Sequence, residues 1–283
     1  MAFGLHKKSE PKTAEKTAKI GFIGAGRMAG AMIDGLIDQH VYDRDEIIAC
    51  APTKETRDRM CQHAGISMYE KASEIAPLTN VVVIACKPKN IGPLFKEEGL
   101  TVADGTLLIS IAAGVKIETL QGYAPGAKIV RAMPNHCCMM LEGAAGYVLG
   151  PGCTDDDRKT VEKIFGASGL CVEVREQDLD AVTGIAGSSP AFIYMMARGL
   201  VTAGQKYGLS EEQSLKLAAQ SLIGAGCMIL GAGKTLDELI DGVCSPGGTT
   251  IEGCKVLTAE NFEETVVKCV DATVARSIEM GKQ

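Results

Sequence analysis

The sequence predicts an α/β fold, with an amino-terminal domain built on a mostly parallel sheet and an all-helical second domain. Three observations lead to it. From residue 18 to about residue 174, short β-branched runs alternate with amphipathic segments, the pattern of repeated βα units. After Glu176 the strand signal stops, and the rest of the chain reads as helix broken by glycine. A small-residue junction, Gly24-Ala25-Gly26-Arg27-Met28-Ala29, stands directly between the first strand and the first helix.

Strands are expected at residues 19–23, 46–50, 80–86, 106–111, 128–132, 145–149 and 170–174. Helices are expected between them at 27–39, 54–63 and 155–165. The last opens on Thr154 as N-cap, and acidic residues in its first turn favour a helix start there. The second half shows helical runs at 190–207 and 211–230. The composition shift puts a domain boundary near Arg175, dividing the chain into residues 1–17, 18–175 and 176–283. Residues 191–201 are apolar nearly all round, and a helix without a polar face must be covered on every side. A second subunit provides that cover, or the helix is central within its own domain.

The 283 residues are 46% hydrophobic and 23% charged, an ordinary globular balance that excludes a disordered, collagenous or coiled-coil chain. Aromatics are 4%, with no Trp, and the net charge is -6, so neither stacking platforms nor a positive field is available for nucleic acid. The 33 Gly follow no repeat period and imply turns and close backbone approaches. The 11 Cys show no CxxC pair and no zinc-ligand spacing, so they read as small hydrophobes in a reducing compartment, and no metal site is expected. Cys137 and Cys138 are adjacent, but neighbours in an extended strand point to opposite faces, which argues against a redox pair. No apolar stretch reaches the roughly 20 residues of a membrane span. The first segment carries Lys7, Lys8, Lys12 and Lys16 together with Glu10 and Glu15 and lacks an apolar core. It reads as a flexible, solvated tail, and a cytoplasmic location is expected.

The junction after the first strand fits G-x-G-x-x-A. Gly24 permits the tight turn, Gly26 lets the backbone approach a pyrophosphate, and Ala29 lets helix and strand lie close, with the helix N-terminus aimed at the anion. The pattern predicts a dinucleotide. Strand two ends at Cys50-Ala51-Pro52-Thr53-Lys54, where sites selective for NAD place an acid on the ribose 2′-hydroxyl. No acid is present, and Thr53, Lys54, Thr56 and Arg57 are close by, which tilts the cofactor toward NADPH, with NADH as the alternative. Ala85-Cys86-Lys87-Pro88 and Ser110-Ile111-Ala112-Ala113-Gly114 follow two further strands at the carboxyl end of the sheet, where such folds bind ligands.

In the helical half, Asp241-Gly-Val-Cys-Ser245-Pro246-Gly247-Gly248-Thr249-Thr250 stops one helix and opens the next. Backbone N–H groups and hydroxyls converge there. Such a turn either holds a carboxylate or merely caps its own backbone. A second turn of similar character is expected at residues 184–191, with Pro190 near a helix start.

Together these segments identify a resemblance. The chain is similar to the pyrroline-5-carboxylate reductases through Phe22-Ile-Gly-Ala-Gly, Cys86-Lys-Pro, Ile111-Ala-Ala-Gly-Val, Arg131-Ala-Met-Pro-Asn, Asp180-Ala-Val-Thr-Gly, Gly187-Ser-Ser-Pro-Ala and Ser245-Pro-Gly-Gly-Thr-Thr, in family order over nearly all the chain after the tail. The resemblance implies a Rossmann domain, a helical C-terminal dimerisation domain, and rings of dimers up to a decamer. It implies reduction of 1-pyrroline-5-carboxylate to proline, the last step of proline biosynthesis. It also implies that Ile23, Gly24, Ala25, Gly26, Arg27, Met28, Ala51, Thr53, Ala85, Cys86, Lys87, Pro88, Ile111, Ala112 and Ala113 line the cofactor site. By the same resemblance the substrate would sit between these residues and the C-terminal domain of the partner subunit, its carboxylate held by Ser245, Gly247, Gly248, Thr249 and Thr250, with Glu176 close to the substrate and the Thr250 hydroxyl facing the ring nitrogen.

The chemistry agrees with the absence of a strong catalytic acid. Reducing C=N needs hydride at carbon and one proton at nitrogen, and an imine takes that proton far more readily than a carbonyl oxygen does, so positioning carries most of the rate. The family usually has Gly at Ser189, a Thr-Pro pair near His136 and Cys137, and an amide side chain at Gly242. His136 is accordingly either a proton donor peculiar to this chain or an ordinary loop histidine. The β-hydroxyacid dehydrogenases place a Lys just beyond the turn that opens the helical domain, and residues 184–194 contain none. A cofactor-holding sensor without turnover would leave the Ser-Pro-Gly-Gly-Thr-Thr turn unexplained.

Overall fold

The computed structural model describes residues 18–281; the expected tail at residues 1–17 lies outside the described residues. Its first unit contains β1 (Ile20–Ile23), β2 (Ile47–Cys50), β3 (Ser67–Tyr69), β4 (Val81–Ile84), β5 (Leu107–Ser110), β6 (Lys128–Pro134), β7 (Gly143–Leu149) and β8 (Gly169–Glu173). They form one sheet in the order β3-β2-β1-β4-β5-β6-β7-β8. All neighbours are parallel except β6 and β7. The reversal of strand order between β1 and β4 creates the crevice where such sheets bind ligands.

Alternation along the strands explains the layers. Phe22, Ala49, Val83, Ile109 and Val130 face one side with Met32, Ile33 and Leu36 of α1 (Arg27–Asp38), Met60 of α2 (Lys54–Ala64) and Val161, Ile164 and Phe165 of α6 (Asp155–Gly166). Gly21 faces the other side, against Ile48 and Ile75 of α3 (Ala72–Ile75). α4 (Ile91–Lys96) and α5 (Ile117–Tyr123) complete the unit. Ala29 is fully buried, as close packing of α1 on β1 requires. Thr154 caps α6, accepting from Asp157 N–H while the Asp157 carboxylate accepts from Thr154 N–H at 2.7 Å. Lys128 binds the same carboxylate at 2.9 Å and ties α6 to β6.

Observed bounds differ from the expected ones mainly at strand ends, which frame the loops of the crevice. β3 was not expected, because Ser67-Met68-Tyr69 is short and only partly buried and so shows no hydrophobic alternation. The extended strand assumed in discounting a redox pair at Cys137 and Cys138 does not form, and they sit in a 3-10 turn, His136–Met140. Asn135 caps it by accepting from Cys137 N–H, and the same oxygen accepts from Ala144 N–H. Cys138 is buried with its thiol 3.4 Å from the Met28 sulfur, so this pair splits between core and partly exposed surface.

The division into two units falls between Leu179 and Asp180, inside α7 (Leu179–Val182) and a few residues beyond the expected boundary. The second unit, Asp180–Glu279, holds α8 (Ser189–Lys206), α9 (Glu211–Gly231), α10 (Leu236–Val243), α11 (Thr249–Ala259) and most of α12 (Phe262–Met280). The turn expected at residues 184–191 is helical instead. Pro190 has no N–H for the carbonyl four residues back, and the helix widens into a π turn, Thr183–Ser188, ahead of it. Ser189 fits this course because its hydroxyl donates to the Ile185 carbonyl at 2.7 Å.

The second unit covers few of its own apolar side chains. Tyr194 and Met195 on α8, Leu217 and Leu230 on α9, and Val256 on α11 are all more than half exposed within the chain. Residues 191–201 are therefore not a helix central to their own domain, and the surface they present is of the kind that partners cover. α9 has 21 residues and a mean hydropathy of 1.3 in its most apolar stretch, long and apolar enough by length and composition to cross a bilayer. This corrects the expectation that no stretch reaches that length. Interspersed Gly, Ala and Ser make the run look weaker than its average.

Candidate active site

The carboxyl ends of four adjacent strands come together through backbone hydrogen bonds. Gly24 N–H donates to the Cys50 carbonyl at 3.0 Å, Ala85 N–H to Ile23 at 2.8 Å and Ile111 N–H to Ile84 at 3.1 Å. These bonds align Ile23–Met28, Ala51–Thr53, Ala85–Pro88 and Ile111–Ala113 along one edge, as a shared ligand requires. Gly24 has φ +102, and a Cβ there would stand 2.9 Å from the Ala85 carbonyl oxygen, so only glycine fits.

The glycine loop also passes a test for a dinucleotide. Gly26 is the N-cap of α1, no described side chain caps that helix, and its first turn carries no acid. Apart from its two chain neighbours, no described residue has an atom within 4 Å of the position a Gly26 Cβ would take. Backbone N–H groups and the positive end of the helix thus face open space, the environment an anionic pyrophosphate needs. Lys87 and Pro88 line a cavity of about 670 Å³ with Ala113, Gly114 and Tyr123. Cys50 and Cys86 lie along the same edge, and burial pushes each thiol up to about 11, which keeps both protonated and inert near neutral pH.

After β2 the polar residues hold one another. Thr53 Oγ1 is 2.8 Å from Thr56 Oγ1, and Lys54 pairs with Asp58 at 2.6 Å. Arg57 donates to the carbonyls of Ala51 and Pro52 and pairs with Glu70 at 3.2 Å.

Glu176 is a brace in the first unit. Its Oε1 accepts from Arg131 Nη1 at 2.7 Å and from Ile117 N–H at 2.8 Å. Arg131 is 8% exposed in the middle of β6, a buried cation that demands a partner. A lone arginine within an apolar strand signals in the sequence that a buried counter-charge is needed, but not that Glu176 supplies it. Glu176→Gln is expected to lower stability by about 1–3 kcal/mol in urea denaturation, because the arginine stays buried without its counter-charge. An unchanged midpoint would show that the carboxylate matters only to substrate.

In the second unit, Gly247 at φ +73 reverses the chain and Gly248 N–H closes the turn on the Ser245 carbonyl at 2.9 Å. Gly248 is the N-cap of α11, again without a side-chain cap, and Thr249 and Thr250 fill the first turn. A Cβ on Gly248 would stand 2.5 Å from Ser245 Oγ, so this glycine lets the hydroxyl close on the helix end. Thr250 lines a cavity of about 440 Å³ with Ile240, Val243, Cys244 and Cys254. The Cys244 and Cys254 sulfurs, 3.6 Å apart, link the two helices that flank the turn. Their hydrogen bond raises the Cys244 pKa. Gly242 faces open space and His136 is exposed on its 3-10 turn. Among the described residues no group of three or more His, Cys, Asp or Glu could hold a metal.

Comparisons with known proteins agree with both halves. The family model described as pyrroline-5-carboxylate reductase dimerisation matches residues 176–280, and that described as NADP oxidoreductase coenzyme F420-dependent matches residues 19–114. The Arabidopsis thaliana pyrroline-5-carboxylate reductase is 33% identical over 93% of this chain and 96% of its own. A solved pyrroline-5-carboxylate reductase from Coxiella burnetii superposes with a TM-score of 0.86 at 31% identity, covering 93% of this chain and 98% of that one. The Plasmodium falciparum pyrroline carboxylate reductase with NADP bound gives 0.82 at 30% identity, covering 95% and 100%. α9 and the exposed apolar faces of α8 and α11 lie in the segment matched by the dimerisation model.

Proposed function

The chain belongs to the pyrroline-5-carboxylate reductase family, and on that premise we propose how its residues divide the work of the reaction. It is an oxidoreductase that reduces the C=N bond of 1-pyrroline-5-carboxylate to give proline, and it works as a homo-oligomer. When bound, the nicotinamide supplies the hydride to the imine carbon. The glycine loop Gly24–Met28 holds the pyrophosphate, while Ala51, Thr53 and Lys54 surround the adenosine ribose. Ala85–Pro88 and Ile111–Ala113 wall the remainder of the cofactor.

The substrate carboxylate sits at the N-terminus of α11, held by N–H groups of Gly248, Thr249 and Thr250 and by the Ser245 hydroxyl, with Gly247 shaping the turn. Thr250 Oγ1 orients the ring and donates a hydrogen bond at the imine nitrogen. Glu176 acts near the substrate through the position of Arg131. A cytoplasmic location and assembly of dimers into rings, up to a decamer, belong to the same reading.

NADPH is the favoured cofactor. The observation that carries this is Ala51 at the end of β2, where an acid would have repelled a 2′-phosphate. Following reduced-cofactor absorbance with pyrroline-5-carboxylate and either NADPH or NADH tests it. A kcat/KM about tenfold or more higher for NADPH is expected, a difference of about 1.4 kcal/mol. Equal values would remove the preference. Turnover of a 2-hydroxy or 3-hydroxy acid with NADP in place of the imine would overturn the reaction itself.

A further inference from the structure

Both cations that the sequence offers to a 2′-phosphate already have partners. Arg57 spends its donors on the Ala51 and Pro52 carbonyls and on Glu70, which holds the loop after β2 in shape. Lys54 is paired with Asp58. Arg59, two residues further along α2, differs from both. Its Nη2 donates to the Ala25 carbonyl at 3.3 Å, which brings a guanidinium from the second turn of α2 onto the glycine loop. Among the described residues no carboxylate pairs with it, and its side chain is exposed. It lines a cavity of about 320 Å³ with Ala25, Gly26 and Arg27, where the one carboxylate, Asp34, is held by His63 at 2.9 Å.

We propose that Arg59 recognises the 2′-phosphate of the cofactor and so sets the choice of NADPH over NADH, while Arg57 is a positioning residue for the loop. The inference rests on the NADPH reading above. A bound dinucleotide would place its ribose beyond the end of β2 and its pyrophosphate at Gly26, and a guanidinium reaching from α2 to Ala25 would stand beside the corner between them. A planar guanidinium binds phosphate through paired charge-assisted hydrogen bonds, and Arg59 gives up only one long hydrogen bond to an uncharged carbonyl to make them. Arg59 stands in the middle of α2, beyond the loop where sequence patterns look for this contact.

The test uses two ligands that differ only by the phosphate in question. Calorimetric titration of the full-length protein with 2′,5′-ADP and with 5′-AMP is expected to show 2′,5′-ADP at least about tenfold tighter. Arg59→Gln should lose about tenfold for 2′,5′-ADP and leave 5′-AMP unchanged, and Arg59→Lys should recover part of the loss. With substrate, kcat/KM for NADPH should fall by a similar factor while that for NADH holds. If the wild-type protein binds both probes equally, the NADPH reading fails and this inference with it. If the wild type discriminates and Arg59→Gln discriminates as well, the cofactor reading stands and Arg59 is excluded. Equal losses for both probes would also overturn the assignment, because the arginine would then support the loop as a whole.

Discussion

Thr250→Ala is expected to lower kcat by about 10- to 100-fold while the NADPH Kd stays within about twofold of wild type. The effect is large because the chain has no stronger donor at the Ser245–Thr250 turn, and it is bounded because an imine nitrogen is basic enough to accept a proton from water. The backbone of α11 begins at Gly248 without help from the Thr250 side chain, so removing the hydroxyl leaves the helix N-terminus and its grip on the carboxylate in place. The substrate KM should therefore change less than kcat. Thr250→Ser keeps the hydroxyl and should retain most activity, whereas Thr250→Val keeps the shape and should behave like alanine. Steady-state kinetics with pyrroline-5-carboxylate distinguish these outcomes. A wild-type rate in both the alanine and the valine variants would remove Thr250 from proton delivery and leave the task to solvent.

The second large effect separates two glycines of one motif. Gly24→Ala combines a positive φ with a Cβ 2.9 Å from the Ala85 carbonyl oxygen and 3.2 Å from Cys86 N, backbone atoms fixed in the β4 edge. Strain of about 1–3 kcal/mol and a similar cost for the clash add to a loss of about 2–6 kcal/mol in denaturation. Gly26→Ala meets nothing within 4 Å and has φ -75, so its stability should change by less than about 1 kcal/mol. Its methyl nevertheless occupies the space above the α1 N-terminus, and NADPH binding should weaken by tenfold or more, about 1.4 kcal/mol. A stable Gly26→Ala variant with unchanged NADPH affinity would place the pyrophosphate elsewhere.

Much of this organisation was legible in the sequence because it rests on local rules. Buried parallel strands announce themselves as β-branched runs, and β1, β2, β4 and β5 stand within two residues of where those runs predict them. The α6 start was legible because its cap, Thr154, and the acids beside it act over one helical turn. The glycine loop and the Ser245–Thr250 turn were legible as patterns because tight turns and uncapped helix starts require particular residues at fixed spacing.

What the sequence by itself determined is the class of fold, the order of its two halves, and the two small-residue turns, Gly24–Met28 and Ser245–Thr250, that each run into a helix start. Only the tertiary structure decided which polar side chains are spent on the protein and which remain for a ligand. Arg57 and Arg59 look alike along the chain, yet one is locked beneath the loop after β2 and the other lies on the glycine loop. Glu176 and Arg131 are 45 residues apart in sequence and 2.7 Å apart in space. The π turn before Pro190 and the exposed apolar faces of α8 and α9 also appear only in three dimensions. The reason is physical: backbone conformation is set by neighbours within a turn or two, whereas the fate of a charge or an apolar face depends on what distant segments bring against it.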